Sequence, residues 1–203
     1  MCGVIAYASR DPKPEDLELL RRVAVESRVR GLHAFGWGWE TETGPQVRKY
    51  HRLDEWLGDL DQWDALPQHL IGHARYSTSG DYHLHENNQP LQRNKMMLVF
   101  NGTLDMSRAD NDGELALDQL EGGGEAQLVS WLESRSGTFA GCWLHTGTMW
   151  AYRKTNRPLW RAVDESLRAA VVASTRDIFL RAGLPIGWHF EQIPAGELQC
   201  LTD

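Results

Sequence analysis

Short apolar runs separated by polar breaks fill this chain, and few stretches hold one period for long. Val4 to Tyr7 reads as a buried strand. Pro14 opens an acidic turn, after which Leu17, Leu20 and Ala24 recur at helical spacing toward Arg30. Phe35 to Trp39 (FGWGW) alternates aromatic residues with glycine, the pattern of a strand whose backbone something approaches closely. Val47 to His51 suits a hairpin partner for it, across the turn around Gly44 and Pro45. His69 to Arg75 and Met96 to Phe100 read as further strands, separated by a polar loop from Ser77 to Asn94. Glu114 to Leu120 and Glu125 to Arg135 predict two short helices flanking the break at Gly122, Gly123 and Gly124. Strand-like runs follow at Thr138 to His145, Met149 to Arg153 and Arg168 to Ala173. A short helix around Asp177 to Arg181 precedes strands near Trp188 to Gln192 and Glu197 to Leu201. Strands and helices come in runs rather than in strict alternation, which predicts an α+β fold of antiparallel sheets flanked by helices.

The 203 residues suit one domain with a sizeable core, and no internal repeat breaks the chain into units. A composition 41% hydrophobic and 24% charged is that of a globular protein. The formal charge of −7 argues against general binding to nucleic-acid backbones. No apolar run is long enough for a membrane span, and the start, MCGVIAYASRD, lacks the basic and apolar regions of a secretory signal. Cys2, Cys142 and Cys200 are scattered, with no CxxC pair, which fits a reduced cytoplasmic protein.

Three places could carry chemistry. Removal of Met1 would make Cys2 the N-terminal residue, with a thiol beside a free α-amine that titrates near about 7.7–8.0. Nucleophile and base would then belong to one residue; equally, a small residue here merely aids Met removal. Gly72 to Gly80 (GHARYSTSG) puts Arg75 at a strand end before hydroxyl residues and glycine. That arrangement suits capture of a carboxylate, or an ion pair and a polar turn. Asn101 and Gly102 follow a strand, where a side-chain amide and a backbone N–H could form an oxyanion hole; Asn-Gly is also a common turn.

Taken together and in order, these segments resemble the class II glutamine amidotransferase domain, the N-terminal-nucleophile glutaminase of glucosamine-6-phosphate synthase, amidophosphoribosyltransferase and asparagine synthetase. Cys2-Gly3-Val4 matches the family's opening, Arg30 to Gly36 (RGLHAFG) its Arg-Gly segment, and Gly72 to Gly80 its His-x-Arg stretch. Asn87-Asn88-Gln89-Pro90 and Asn101-Gly102-Thr103 match two later elements, and Arg157-Pro158-Leu159 and Ser174 resemble further landmarks. The resemblance implies an αββα sandwich of the N-terminal-nucleophile hydrolase type, spanning residues 2–203 as a single domain. It implies hydrolysis of L-glutamine to L-glutamate and ammonia, with Cys2 forming a γ-glutamyl thioester and its own amine acting as base. Arg75 is expected to clamp the substrate α-carboxylate, with Thr78 and the backbone of Tyr76 to Ser79 shaping the pocket. Asn101 and the Gly102 N–H are expected to stabilise the oxyanion, and Arg30, in the Arg30-Gly31 pair, to position the nucleophile's loop. For the substrate ammonium the best match is Asp112, within Asn111 to Glu114 (NDGE), where Gly113 departs from the family's hydroxyl residue; Asp118 and Glu121 stay open.

The resemblance implies no cofactor and no metal. His83, His85 and Glu86 have ligand-like spacing, but their loop is better read as a cover for the site. Cys142 and Cys200 read as buried thiols, and the nine Trp residues as core. The family's synthases carry a second domain that consumes the ammonia. This chain ends at Asp203, about where the glutaminase would finish, so a separate synthase polypeptide is the expected partner. Two other readings share the fold: an amidase acting on another γ-glutamyl compound, and a catalytically silent binding subunit.

Overall fold

Twelve strands and four helices are assigned in a computed structural model that describes residues 1–78, 80–104, 117 and 125–201. In chain order these are β1 (Gly3–Ser9), α1 (Pro14–Ser27), β2 (Ala34–Thr41), β3 (Gly44–Tyr50), α2 (Leu53–Leu60), β4 (His69–Arg75), β5 (Leu91–Arg93) and β6 (Met96–Leu104). They continue with α3 (Glu125–Ser134), β7 (Gly137–His145), β8 (Thr148–Arg153), β9 (Trp160–Asp164), β10 (Ala169–Ala173), α4 (Arg176–Ala182), β11 (Trp188–Gln192) and β12 (Gln199–Cys200). A seven-stranded sheet runs β11-β9-β10-β1-β4-β2-β3 and a five-stranded sheet β12-β8-β7-β6-β5, with every ladder antiparallel.

The layering follows from the alternation of side chains along β1. Ile5 and Tyr7 face the helices, in a core with Leu19, Leu20 and Val23 of α1, Trp56 of α2 and Phe179 of α4. Val4, Ala6 and Ala8 face the other sheet, where they meet Met97 and Val99 of β6 and Ala140 and Cys142 of β7. Small residues on β1 let the two sheets pack closely. On the outer side of the five-stranded sheet, Leu98, Phe100, Trp143 and Trp150 pack with Leu117 and with Leu128 and Trp131 of α3. The result is a helix–sheet–sheet–helix sandwich, the α+β architecture expected from the sequence.

Most expected elements are present, with ends moved by a few residues. Three are additional: α2, β5 and β9. The expected 197–201 strand shortens to Gln199–Cys200, and Cys200 is half-buried rather than enclosed like Cys142. Of the expected 114–120 helix, only Leu117 is among the described residues. The alternating glycines of β2 do admit a close neighbour: a Cβ at Gly36 would lie 2.4 Å from the Gln89 carbonyl oxygen. That contact seats the Asn88–Gln89 loop against the seven-stranded sheet.

Helix α1 starts on Pro14, with Asp16 in its first turn. The Asp16 carboxylate accepts from the Lys13 N–H (2.9 Å), the Tyr7 hydroxyl (2.8 Å) and Arg168 (2.6 and 2.9 Å) while only 1% exposed. Burial alone would raise this carboxyl. The hydrogen bonds from Arg168, Lys13 and Tyr7 outweigh it and hold the group below its ordinary value. Arg168→Ala strands the buried charge and is expected to lower stability by about 3–5 kcal/mol near neutral pH, read from urea midpoints. Because the folded carboxyl is depressed, that contribution is present above the ordinary Asp range, near about 3.9, and is lost as pH falls through the folded value. The deficit of the variant should therefore shrink in acid.

Candidate active site

Cys2 sits at the start of the central strand of one sheet, and its even-numbered register with Val4 and Ala6 turns it toward the other sheet. Asn101 of β6 shares the inward register of Met97 and Val99. The two residues therefore meet at one end of the layer between the sheets. The Cys2 backbone nitrogen donates to Asn101 Oδ1 at 3.1 Å. Asn101 is 4% exposed, and its Nδ2 has no hydrogen-bond partner among the described residues. Leaving a buried amide donor unpaired costs about 1–3 kcal/mol, a cost that an acceptor on a molecule bound beside Cys2 would remove.

Strand geometry supplies a second donor. The Phe100 N–H leaves β6 on the edge away from β7, where it donates to Gln89 Oε1 at 2.6 Å. Amides alternate along a strand, so the Gly102 N–H points to that same edge. The β5 ladder has already ended there, its last pair being Leu91 with Leu98. A Cβ at Gly102 would lie 2.1 Å from the Thr138 carbonyl oxygen, so only glycine fits the position.

The neighbouring backbone is braced from both sheets. His73 Nε2 meets the Phe100 carbonyl oxygen at 3.1 Å; since a carbonyl only accepts, the ring proton lies on Nε2. Complete burial pushes the His73 imidazole down to about 3, so the ring is neutral. Gln89 and His73 thus hold the N–H and C=O of the residue before Asn101. On the nucleophile side, Arg30 Nε donates to the Cys2 carbonyl at 3.2 Å. Ser174 Oγ donates to the same oxygen at 3.4 Å and accepts from the Val4 N–H at 2.8 Å.

The end of β4 closes the third side. Gly3 pairs with Ala74, which sets Arg75 beside Cys2, and the Tyr76 carbonyl oxygen lies 3.6 Å from Cys2 Sγ. Arg75 Nη1 donates to Asn88 Oδ1 at 2.6 Å, and Asn88 Nδ2 donates to the Tyr82 carbonyl at 2.7 Å. Gly31 allows the 28–33 segment to press on this strand end, because a Cβ there would lie 2.2 Å from the Arg75 carbonyl carbon. Burial pushes the Cys2 thiol up; the Tyr76 backbone contact, the N-terminal charge, Arg75 and Arg30 pull it back without reversing the shift. The sulfur therefore holds its proton near neutral pH, and a base must take it.

Cys2, Arg30, Gly31, Arg75, Tyr76, Asn101 and Gly102 come together as the sequence reading expects. Thr78 lies nearby in the chain and is exposed, while Ser79 and the ammonium candidates Asp112, Asp118 and Glu121 lie outside the described residues. Asn88, His73 and His33 each stand inside one of the motifs above, yet their residue types do not mark the roles that the structure gives them. His85 stacks on His51 with ring centroids 4.2 Å apart.

No protein-family model and no curated protein matches the chain. Solved structures do. Glutamine phosphoribosylpyrophosphate amidotransferase from B. subtilis superposes with a TM-score of 0.76 at 22% identity, over 100% of this chain and 47% of that one. The fold is that of a class II glutamine amidotransferase domain. A class-II domain protein from Silicibacter pomeroyi, described as a glutamine aminotransferase, gives a TM-score of 0.60 at 12% identity, covering 100% of this chain and 95% of its own. A protein described as a predicted glutamine amidotransferase from Pseudomonas aeruginosa gives 0.57 at 12%, covering 98% and 96%. The chain thus spans about half the length of the B. subtilis enzyme and nearly all of the other two. The amidotransferase-domain fold places Cys2 at the head of its central strand, and no helix among the described residues is long and apolar enough to cross a membrane.

Proposed function

We propose that this protein hydrolyses L-glutamine to L-glutamate and ammonia, with Cys2 as an N-terminal nucleophile. The observation that carries the reading is Asn101: its Oδ1 holds the Cys2 nitrogen while its buried Nδ2, in the same amide, has no partner among the described residues. Met1 is 61% exposed and open to removal, which turns the Cys2 nitrogen into the α-amine. That amine takes the thiol proton, and Sγ attacks the side-chain amide carbon of glutamine. The resulting oxyanion accepts from Asn101 Nδ2 and the Gly102 N–H. Collapse breaks the C–N bond, the ammonium proton leaves with the nitrogen as ammonia, and a γ-glutamyl thioester remains. Water, deprotonated by the same amine, then releases glutamate and restores the thiol.

Arg75 receives the α-carboxylate in this scheme. Its guanidinium is already aimed by Asn88, and burial depresses it only from a very high starting point, so it stays charged. Arg75→Lys keeps the charge but loses the planar two-pronged donor, and is expected to raise the KM for glutamine about tenfold with kcat little changed. Steady-state kinetics of ammonia release check it. Asp112 remains our choice for the substrate ammonium, and Thr78 and Ser79 for the pocket wall.

The ammonia passes to a separate synthase subunit. In support, the segments framing Cys2 expose Val29 (64%), Leu32 (64%), Tyr76 (48%) and Leu84 (48%), apolar side chains suited to cover by a partner. Affinity capture from native lysate should recover an amide- or amine-forming enzyme.

The hydrolase reading is tested by intact mass before and after incubation with the diazoketone analogue of glutamine, 6-diazo-5-oxo-L-norleucine. The expected result is loss of Met1 and one adduct mapping to Cys2. Retention of Met1 with no adduct overturns the reading in favour of a silent binding subunit.

A further inference from the structure

We infer that His33 is a positioning residue that holds the Arg75–Ser77 backbone in register with the Cys2 thiol, through the acceptor nitrogen of its imidazole. The inference rests on the glutaminase reading above. His33 lies between the single helical turn Arg28–Arg30 and β2, on the segment that Gly31 lets press against the end of β4. Two hydrogen bonds tie it there. The His33 N–H donates to the Arg75 carbonyl at 3.0 Å, and the Ser77 N–H donates to His33 Nδ1 at 2.9 Å. Nδ1 is therefore unprotonated, and the ring proton sits on Nε2.

Two tyrosines also stack on the ring. It stacks on Tyr76 and on Tyr82, each with ring centroids 4.8 Å apart and planes within 26° and 21° of parallel. Tyr82 in turn packs on His83 at 4.2 Å, and the Tyr82 carbonyl holds Asn88, which aims Arg75. The imidazole thus joins the two strands of the loop that carries Arg75, its aiming residue and the carbonyl beside Cys2 Sγ. A side chain without the acceptor breaks the Ser77 N–H bond to residue 33 in a half-buried turn. The loop then yields at the point where the substrate carboxylate is received, while the Cys2 backbone carbonyl keeps its own supports from Arg30 and Ser174.

The test is the kinetics of Cys2 labelling by the same diazoketone in full-length His33→Phe and His33→Asn. Phenylalanine keeps the stacked ring and removes the acceptor; asparagine removes the ring and keeps an acceptor oxygen near the Nδ1 position. His33→Phe should raise the inhibition constant about tenfold, the size of one lost hydrogen bond, with the maximal inactivation rate within about twofold. His33→Asn should restore the constant to within about threefold of wild type. The ratio of diazoketone to iodoacetamide labelling should fall in His33→Phe, because iodoacetamide carries no α-carboxylate to be placed. Wild-type behaviour in His33→Phe overturns the inference, as does His33→Asn failing as badly as His33→Phe, which would assign the effect to the ring. A wild-type protein that takes no diazoketone at all overturns the glutaminase reading, and this inference with it. That result is distinct, because in the other two the wild type reacts.

Discussion

Cys2→Ala is expected to abolish glutamine hydrolysis, lowering kcat by at least about 10⁴-fold while the fold and its melting temperature are kept. The magnitude follows from what removal of a covalent nucleophile does where the remaining groups act only in concert with it. Stability should hold because Cys2 lies at the half-buried start of β1, outside the ladder that begins at Gly3. Blocking the base has the same consequence without touching the sulfur. A form that retains Met1 keeps a peptide nitrogen at Cys2, and a peptide nitrogen takes up no proton near neutral pH. The thiol, pushed up by burial, then has no acceptor for its proton. In the processed protein, activity should rise with pH as the α-amine loses its own proton, in the region of about 7.7–8.0. Cys2→Ser is the informative intermediate: it keeps the amine and the attacking position but exchanges sulfur for a poorer nucleophile. Ammonia release by Cys2→Ala within tenfold of wild type would end the covalent mechanism.

Much of the fold and of the site was legible in the sequence because the same residues serve both. The Arg75 and Asn101 stretches could be found as strand ends followed by polar groups. The structure shows why their neighbours belong: His73 and Gln89 hold the two polar atoms of Phe100, and thereby tie β4 of one sheet and the 85–90 loop to β6 of the other. Such a brace is invisible to periodicity, since it joins residues 27 and 11 positions apart across two sheets. His33 and Asn88 are not legible in the sequence for a related reason. Their work is to orient Ser77 and Arg75, and nothing in a side chain's type announces which backbone atom it will meet.

The three additional elements have local explanations. Helix α2 is only eight residues long and contains Gly58. Its reason for existing is tertiary: Trp56 stacks on Phe35 and Trp37, with centroids 5.0 and 4.6 Å apart. Strand β9 ends on Asp164, a residue that disfavours strands by propensity. Here its Oδ1 accepts from the Arg168 and Ala169 N–H groups at 2.7 and 3.0 Å, so it closes the turn into β10. Strand β5 is three residues pairing with the start of β6, too short to show an alternation. Propensity and pattern thus locate the elements that bury a face of their own. They miss those whose burial or capping is supplied by distant parts of the chain.

Asn101→Ala should lower kcat for glutamine by about 10²–10³-fold, the usual cost of removing one preorganised oxyanion donor, with a much smaller change in KM. The separation follows from when the donor is used. Asn101 Nδ2 has no partner among the described residues, and a ground-state amide carbonyl is a weaker acceptor than the oxyanion that replaces it, so the bond strengthens as the transition state forms. Asn101 also holds the Cys2 nitrogen, and the alanine variant loses both contacts at once. Asn101→Asp separates them: an ionised carboxylate still accepts from the Cys2 amine but donates nothing, and it sets a negative charge beside the developing oxyanion. It should therefore be at least as slow as Asn101→Ala. Thermal melting supplies the other half of the test. Removing a buried donor that had no partner relieves a desolvation penalty that offsets the lost Cys2 N–H bond to Oδ1, so Asn101→Ala should lose little stability despite the burial of the side chain. A kcat within about threefold of wild type would show that Nδ2 faces no developing charge, and the oxyanion site would have to be sought elsewhere. A slow enzyme with a sharply lowered melting temperature would make Asn101 a structural clasp between the sheets. A slow enzyme that melts like wild type is what a preformed oxyanion hole requires.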